Sequence, residues 1–383
     1  MNAIKTITRK PSPETLNQNM MSLIRKVHGM IDKPDIEKHR QSQDHVGALL
    51  GNVKDVLIRS VEIEDMTAEW VSVNRAHMKK YVILYCHGGG YSTGSRIYAR
   101  TLTTKLALST SMDVLCFDYR LAPEHPYPAA MEDAMKAWNY LMLLGYGARD
   151  VVVAGDSAGG NMALSLVLRL KEQKRLLPRG LVLMSPWTDL TSQGITHRTK
   201  AGLDPVLDAP YLERMITNYV KGQSGAEPFP EGEGAKETGG GENPGDGERR
   251  ENAPAAFSAV EPAPGAESVS EGKAKGLSTQ EAALQAVETY SAIGMPKAID
   301  IKDPMISPIY GSFAGFPPTY IQVGENEVLL SDSTMLHKKM IKENVSVKID
   351  IFKGMWHVFQ MSPLKTAYEA MEKNAEFIYE ICR

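Results

Sequence analysis

A serine in a glycine-rich turn is the strongest chemical signal in this chain. Residues 155–160 read GDSAGG and follow the short apolar run 151–154, after which a helical pattern begins. A strand, a sharp turn and a helix around Gly-x-Ser-x-Gly form a nucleophile elbow, which presents the serine hydroxyl above the end of a sheet. Gly155 and Gly159 suit such an elbow because a side chain at either would collide with the adjoining strand or helix. We therefore expect Ser157 to act as a nucleophile.

A second glycine run precedes this serine. Residues 81–86 predict a buried strand that leads directly into His87 and three glycines, Gly88, Gly89 and Gly90. Glycines leave backbone N–H groups unshielded, and such groups can stabilise the negative charge that develops on an attacked carbonyl oxygen. An oxyanion loop is expected at this place in the chain order, before the nucleophile strand.

A serine hydroxyl needs a base that takes its proton, and in this arrangement the base follows the serine. Three histidines do so. His197 leaves few residues in which to place an acid on a later strand, and His337 lies in an amphipathic helical run. His357 follows the strand-like run 347–352 and a glycine, on a loop where the catalytic groups of α/β sheets collect. We predict that His357 is the base.

The acid should lie on the loop after the preceding strand, residues 318–323, where three carboxylates compete. Asp332 is explained as the N-cap of a helix that begins there, and Glu325 can be solvated beside its turn glycine. Glu327 precedes an apolar run, where a partly buried carboxylate needs a partner such as an imidazole N–H. We favour Glu327, with Asp332 as the main alternative.

Six ordered motifs resemble the bacterial branch of the hormone-sensitive lipase family. They cover the chain from about residue 50 to the C-terminus with one interruption, and they are 87–90 (HGGG), 119–124 (YRLAPE), 155–160 (GDSAGG), 185–187 (SPW), 303–308 (DPMISP) and 354–357 (GMWH). The resemblance implies an α/β-hydrolase fold, with a mostly parallel central sheet flanked by helices. In that family the acid stands five residues before a second carboxylate, as Glu327 does before Asp332, although many relatives carry aspartate there.

The resemblance also assigns the oxyanion hole. It implies that the backbone N–H groups of Gly89, Gly90 and Ala158 hold the oxyanion, and that Gly88 shapes the turn. Supporting positions have structural explanations: a brace for the segment after the strand 114–117, a pocket wall, and a turn hydrogen bond at the elbow. The residues concerned are Tyr119, Arg120 and Glu124 for the brace, Trp187 for the wall and Asp156 for the elbow.

The remaining chain predicts one α/β-hydrolase core with a helical cap. Residues 1–50 carry an apolar stripe at helical spacing, and the resemblance implies that they fold over the site. Their methionines Met20, Met21 and Met30 are candidates for an adaptable pocket wall. The core then comprises 51–221, with a cap contribution from about 204–221, and 279–383.

Residues 222–278 differ in composition from the rest. They contain 12 glycines, 6 prolines, eleven acidic and five basic residues, with few large apolar side chains. Such a segment cannot bury enough surface to offset its ordering entropy, so it predicts a disordered acidic insertion.

Composition excludes several other classes of function. The net charge is −3, and +3 without the insertion, so no nucleic-acid footprint is indicated. Three cysteines, no secretory signal and no long apolar segment lead us to expect a cytoplasmic protein. Neither a metal-ligand cluster nor a dinucleotide fingerprint is present, so no cofactor or metal is expected.

The leading interpretation is a serine carboxylesterase for short- to medium-chain esters. A lactone hydrolase or a deacetylase of a small molecule would use the same three residues, and an amidase is not excluded by them. A ligand-binding protein on the same fold is the interpretation from another class, and the presence of His357 argues against it. We also expect a homodimer through the outer strand 347–352, because an edge strand invites pairing with a copy of itself.

Overall fold

The computed structural model describes residues 13–31, 35–77, 79–221 and 299–383. The predicted insertion 222–278 lies outside the described residues, as do residues 279–298 of the predicted second part of the core. No helix in the described ranges is both long and apolar enough to cross a bilayer.

An eight-stranded sheet forms the centre of the described chain. Its order is β1-β2-β4-β3-β5-β6-β7-β8, with β1 and β2 antiparallel to their neighbours and the others parallel. This is the mostly parallel sheet that the sequence predicts. The strands are β1 (Val56–Ile63), β2 (Met66–Val73), β3 (Val82–Cys86), β4 (Asp113–Phe117), β5 (Val151–Asp156), β6 (Gly180–Met184), β7 (Thr319–Gly324) and β8 (Val347–Phe352).

Helices cover both faces of this sheet and one end of it. In the described ranges they are α1 (Pro13–Ile31), α2 (Ile36–Leu50), α3 (Arg96–Thr110), α4 (Ala129–Leu143), α5 (Ala158–Glu172), α6 (Thr196–Thr199), α7 (Ala209–Lys221), α8 (Leu330–Lys342) and α9 (Lys365–Cys382). Single 3₁₀ turns lie at Ala148–Asp150, Pro308–Tyr310 and Phe359–Met361.

The core is divided by the sheet into two apolar layers. Strand β3 illustrates the division, because Val82, Leu84 and Cys86 face the layer formed with α4 and α5, whereas Ile83 and Tyr85 face the layer formed with α3 and α9. Every residue of β3 is buried, which is why the strand reads as a continuous apolar run and not as an alternating one.

The helices α1, α2 and α7 lie at the carboxyl ends of the parallel strands. Helix α1 packs Met20 and Met21 against the buried cluster that contains Trp356. Helix α2 is bound to the core by Arg40, whose guanidinium donates to the carboxylate of Glu124 at 2.7 Å. Of the methionines predicted to form a pocket wall, Met20 lines a cavity at this end of the sheet and Met21 does not, while the side chain of Met30 is not among those that the structure describes.

Candidate active site

Ser157 occupies the strained turn that the sequence predicts. It has φ 53° and ψ −119° and lies between the end of β5 and the start of α5. A Cβ added to Gly155 would lie 2.3 Å from the carbonyl oxygen of Gly159, and one added to Gly159 would lie 2.0 Å from that of Cys86. Only glycine permits this approach of α5 to β3, and the approach places the serine hydroxyl at the carboxyl end of β5.

His357 reaches this hydroxyl from a different part of the chain. Its Nε2 lies 3.0 Å from Ser157 Oγ, on the loop that follows β8 and the left-handed turn at Gly354. The ring is buried, and burial, assisted by the positive charge of His28, lowers the pKa of His357 to about 3. The imidazole is therefore neutral at rest, which is the form that can accept a proton. His337 is on α8 and lies outside the cavity lining.

Glu327 lies on the loop after β7 and is completely buried. Its Oε2 accepts hydrogen bonds from Ser185 Oγ at 2.8 Å and from Gly324 N at 3.1 Å. Ser185 Oγ also accepts a hydrogen bond from the N–H of Val358, the residue after His357, at 3.1 Å. Ser185 therefore links the carboxylate to the histidine loop.

Glu327 and His357 each have one polar side-chain atom without a partner, and the two atoms are chemically complementary. Neither Glu327 Oε1 nor His357 Nδ1 has a hydrogen-bond partner in the part of the chain that the structure describes, although both are buried. One is an acceptor, and the other can carry a proton. Burial, followed by the nearby charge of Asp204, raises the pKa of Glu327 well above its usual range. The structure brings Glu327 to the loop of His357 through Ser185, but no direct hydrogen bond joins the two side chains.

Asp332 is not the N-cap that the sequence suggested. Helix α8 begins at Leu330 with Leu329 at the N-cap position, three residues before Asp332, so Asp332 lies within its first turn. Its carboxylate accepts the N–H groups of Thr188 and Asp189, each at 2.9 Å, and pairs with His197 Nε2 at 2.8 Å. Asp332 thus holds the loop after β6, and its histidine partner is His197 and not His357. Glu325, the third competitor, accepts the N–H of Gly354.

The glycine loop lies beside Ser157. Gly88 donates its N–H to Asp156 Oδ1 at 3.0 Å, so this group is already used. The N–H groups of Gly89, Gly90 and Ala158 are not used in this way, since none of them has an acceptor among the described residues. Gly89 and Gly90 have φ of 115° and 61°, a conformation that favours glycine. These three N–H groups can serve a developing oxyanion.

Buried polar side chains support the glycine loop from behind. His87 stacks on Tyr119 with ring centroids 4.0 Å apart, and the Tyr119 hydroxyl donates to the His87 carbonyl oxygen. Asp156 Oδ1 also accepts from the Tyr85 hydroxyl at 2.6 Å, which ties the elbow to the loop, and burial raises the pKa of Asp156 to about 6. Arg120 pairs with Asp133. The three residues predicted to brace the segment after β4 thus contact the glycine loop through Tyr119, helix α4 through Arg120 and helix α2 through Glu124, which pairs with Arg40.

A cavity of about 400 Å³ opens onto Ser157 and His357. Most of its lining is apolar and comes from the helices at the carboxyl end of the sheet. No lysine or arginine belongs to the described lining, and Trp187 forms part of the wall, as expected. The main apolar contributors are Met20, Leu23, Ile24, Val27, Val46, Leu50, Val206, Leu207, Leu212, Met215, Trp187 and Trp356.

Two residues of this site escaped the sequence reasoning. Ser185 lies in the SPW motif, but nothing local indicates that its hydroxyl meets a carboxylate 142 positions away. Asn161 follows the elbow and donates to the carbonyl oxygens of Trp187 and Ile306, while it accepts from the Tyr91 hydroxyl. Asn161 therefore joins three loops around the nucleophile.

A protein-family model described as the alpha/beta hydrolase fold matches residues 83–232 and 246–361. The chain belongs to the α/β-hydrolase family. This α/β-hydrolase is 29% identical over 324 residues, 84% of its length, to a protein named esterase from Acinetobacter venetianus, of which it covers 82%. It is 27% identical to an acetyl-hydrolase of Streptomyces hygroscopicus, with 85% of this chain and 83% of that protein aligned.

Among solved structures, this α/β-hydrolase is similar to a hormone-sensitive lipase from a metagenome library. The TM-score is 0.72 at 26% identity, and the alignment covers 96% of this chain and 98% of that one. The resemblance drawn from the six motifs is thereby confirmed at the level of the family.

Proposed function

We propose that this carboxylic ester hydrolase is a serine carboxylesterase that cleaves short- to medium-chain esters through an acyl-enzyme on Ser157. The observation that carries the proposal is the 3.0 Å contact between Ser157 Oγ and His357 Nε2, beside three N–H groups of the glycine loop and elbow that have no other acceptor in the described chain. Nucleophile, base and oxyanion donors are then within reach of one carbonyl group.

In the first half of the reaction, Ser157 Oγ attacks the ester carbonyl and His357 takes its proton. The N–H groups of Gly89, Gly90 and Ala158 stabilise the oxyanion, and Glu327 balances the imidazolium. His357 then protonates the leaving alcohol. In the second half, water gives a proton to His357 and attacks the acyl-enzyme, which releases the acid and restores the serine.

The cavity supports an uncharged, apolar substrate. A volume of about 400 Å³ lies at the small end of ligand pockets, and its described lining holds no lysine or arginine to bind a charged acyl group. A deacetylase of a small molecule is the second candidate, since one relative is named acetyl-hydrolase. A purely ligand-binding protein is disfavoured because it would have no need of a histidine at hydrogen-bond distance from the serine.

The test compares Ser157→Ala with the wild-type enzyme on a chain-length series of p-nitrophenyl esters, from acetate to decanoate, with an acetylated sugar and a lactone alongside. We expect Ser157→Ala to lose a factor on the order of 10⁴ or more in turnover, and a fluorophosphonate probe to label only the wild-type serine. Ser333→Ala is the control, because Ser333 is a second buried serine that lies on α8 outside the cavity lining.

Retained turnover in folded Ser157→Ala would overturn the mechanism. A maximum of kcat/KM at the longest ester would overturn the substrate class, and a preference for the acetylated sugar would favour the deacetylase.

A further inference from the structure

The loop that carries Glu327 is held by residues 196–207, a segment from much earlier in the chain. The N–H of Val328, the residue after Glu327, donates to Asp204 Oδ2 at 3.0 Å. The carbonyl oxygen of Val328 accepts a hydrogen bond from Thr196 Oγ1 at 2.6 Å. Both polar backbone groups next to the acid are thus bound to this one segment.

Asp204 makes more than this one contact. Its Oδ1 accepts the N–H groups of Val206 and Leu207, at 3.0 and 3.3 Å. The side chain is buried, and burial raises the pKa of Asp204 to about 6, against the opposing effect of these backbone N–H groups. Arg25 of α1 lowers that pKa by its charge and donates to the carbonyl oxygens of Gly202 and Leu203. The carboxylate is therefore held chiefly by backbone N–H groups.

These contacts join the cavity wall to the acid. Val206 and Leu207 line the cavity, and Val206 packs in the cluster that contains Trp356, the neighbour of His357. One oxygen of Asp204 fixes this wall, and the other fixes the backbone beside Glu327. A displacement of either side is therefore transmitted to the other through a single carboxylate.

Glu327 depends on such fixation because only one of its oxygens is held. Oε2 is bound by Ser185 and Gly324, whereas Oε1 has no partner in the described chain. The direction in which Oε1 points is therefore set by the position of the loop backbone. Misplacement of a catalytic group by about 1 Å can cost on the order of 100-fold in rate.

We propose that Asp204 is a positioning residue, through which residues 196–207 set Glu327 against His357 and so couple the placement of the cavity wall to proton transfer. The proposal rests on the roles given to Glu327 and His357 under the proposed function. Asp204 itself touches no reacting atom.

The first test is Asp204→Asn. The amide offers a single carbonyl oxygen, so it can serve Val328 or the pair Val206 and Leu207, but its NH₂ group must face an N–H on the other side. We expect kcat on p-nitrophenyl butyrate to fall roughly 10- to 100-fold while KM changes less than about three-fold. The control is Asp208→Asn, since Asp208 accepts the Tyr211 N–H at the start of α7 but is exposed.

Active-site titration separates positioning from folding. A structural role alone would lower the titratable fraction or the melting temperature and leave kcat per titrated site at the wild-type value, which would overturn the proposal. A kcat loss equal in Asp204→Asn and Asp208→Asn would overturn it as well.

A double-mutant cycle with Glu327→Gln provides the second test. If Asp204 acts through Glu327, Asp204→Asn should change kcat less than about two-fold in the Glu327→Gln background. Independent, multiplicative losses would overturn the proposal.

Thr196→Val provides a third test, which applies even if Asp204→Asn does not fold. It removes both the donor to the Val328 carbonyl oxygen and the acceptor of the Ser331 N–H, without a change of charge. We expect kcat to fall roughly three- to ten-fold with KM nearly unchanged. Its control is Thr199→Val, because the Thr199 hydroxyl donates to the carbonyl oxygen of Ile195 and, among the described residues, contacts neither Val328 nor Glu327. Wild-type kcat in Thr196→Val would overturn the proposal. Absence of ester turnover and of probe labelling in the wild-type enzyme would instead remove the proposed function.

Discussion

At the scale of single residues, Glu327 and His357 have pKa values moved in opposite directions by the same cause. Burial raises the pKa of Glu327 above its ordinary value of 4.5 and lowers that of His357 to about 3. Each group by itself resists ionisation, yet the reaction requires a carboxylate beside an imidazolium. The two groups are therefore expected to titrate as a pair.

The pH dependence of kcat/KM follows from this pairing. Glu327 is active when deprotonated, so activity is present above its raised pKa and is lost as the pH falls through it. We expect the acid limb of the wild-type profile to lie above pH 4.5, and the limb of Glu327→Gln to move to lower pH, because His357 then titrates without a neighbouring carboxylate. Stopped assays on p-nitrophenyl acetate measure both profiles. Coincident acid limbs would contradict this assignment of the acid.

At the scale of elements, the nucleophile elbow depends on backbones that approach without side chains between them. A methyl group on Gly159 would lie 2.0 Å from the Cys86 carbonyl oxygen, so α5 would have to move away from β3. Gly202 offers the matched contrast in the loop before α7, since a Cβ there would meet nothing within 4 Å.

We therefore expect Gly159→Ala to lower the free energy of unfolding by at least about 2 kcal/mol and to abolish ester turnover, because Ser157 would move with the helix. Gly202→Ala should leave the free energy of unfolding within about 0.5 kcal/mol of the wild-type value and should retain ester turnover. Urea titration and active-site titration of the two variants test this. Equal stability of the two variants would mean that the elbow tolerates a side chain.

At the scale of the whole molecule, β8 is an outer strand of the sheet, as the sequence predicts. Within the described ranges it pairs with β7 on one side only, and Ile351 is 51% exposed. An outer strand with open backbone groups can pair with a second copy, so the homodimer stays a prediction. We expect light scattering to give twice the 42.1 kDa of one chain at micromolar concentration.

The variant Ile351→Lys should shift this equilibrium toward the monomer, because a charge on an edge strand opposes edge-to-edge pairing. Leu143→Lys is its control, since Leu143 is 87% exposed at the end of α4. A monomer in the wild type, or an equal shift in both variants, would reject a dimer through β8.

The sequence by itself determined the parts of the site that are encoded locally. The elbow around Ser157, the glycine loop 87–90 and the position of His357 after a strand each follow from a few consecutive residues, because glycine requirements and strand periodicity act over short distances. The order of these segments in the chain then placed all three at the carboxyl ends of parallel strands. The same reasoning favoured Glu327 over its competitors but could not exclude Asp332.

Only the tertiary structure revealed what holds these two carboxylates, and the choice of Glu327 as the acid stays a prediction. Asp332 has the local pattern of a helix cap, yet its partners are Thr188, Asp189 and His197, more than 130 positions earlier. Glu327 meets Ser185, and its loop meets Asp204, by contacts of the same range. A buried carboxylate must find hydrogen-bond donors wherever the fold brings them, and such donors leave no periodic or local trace in the sequence.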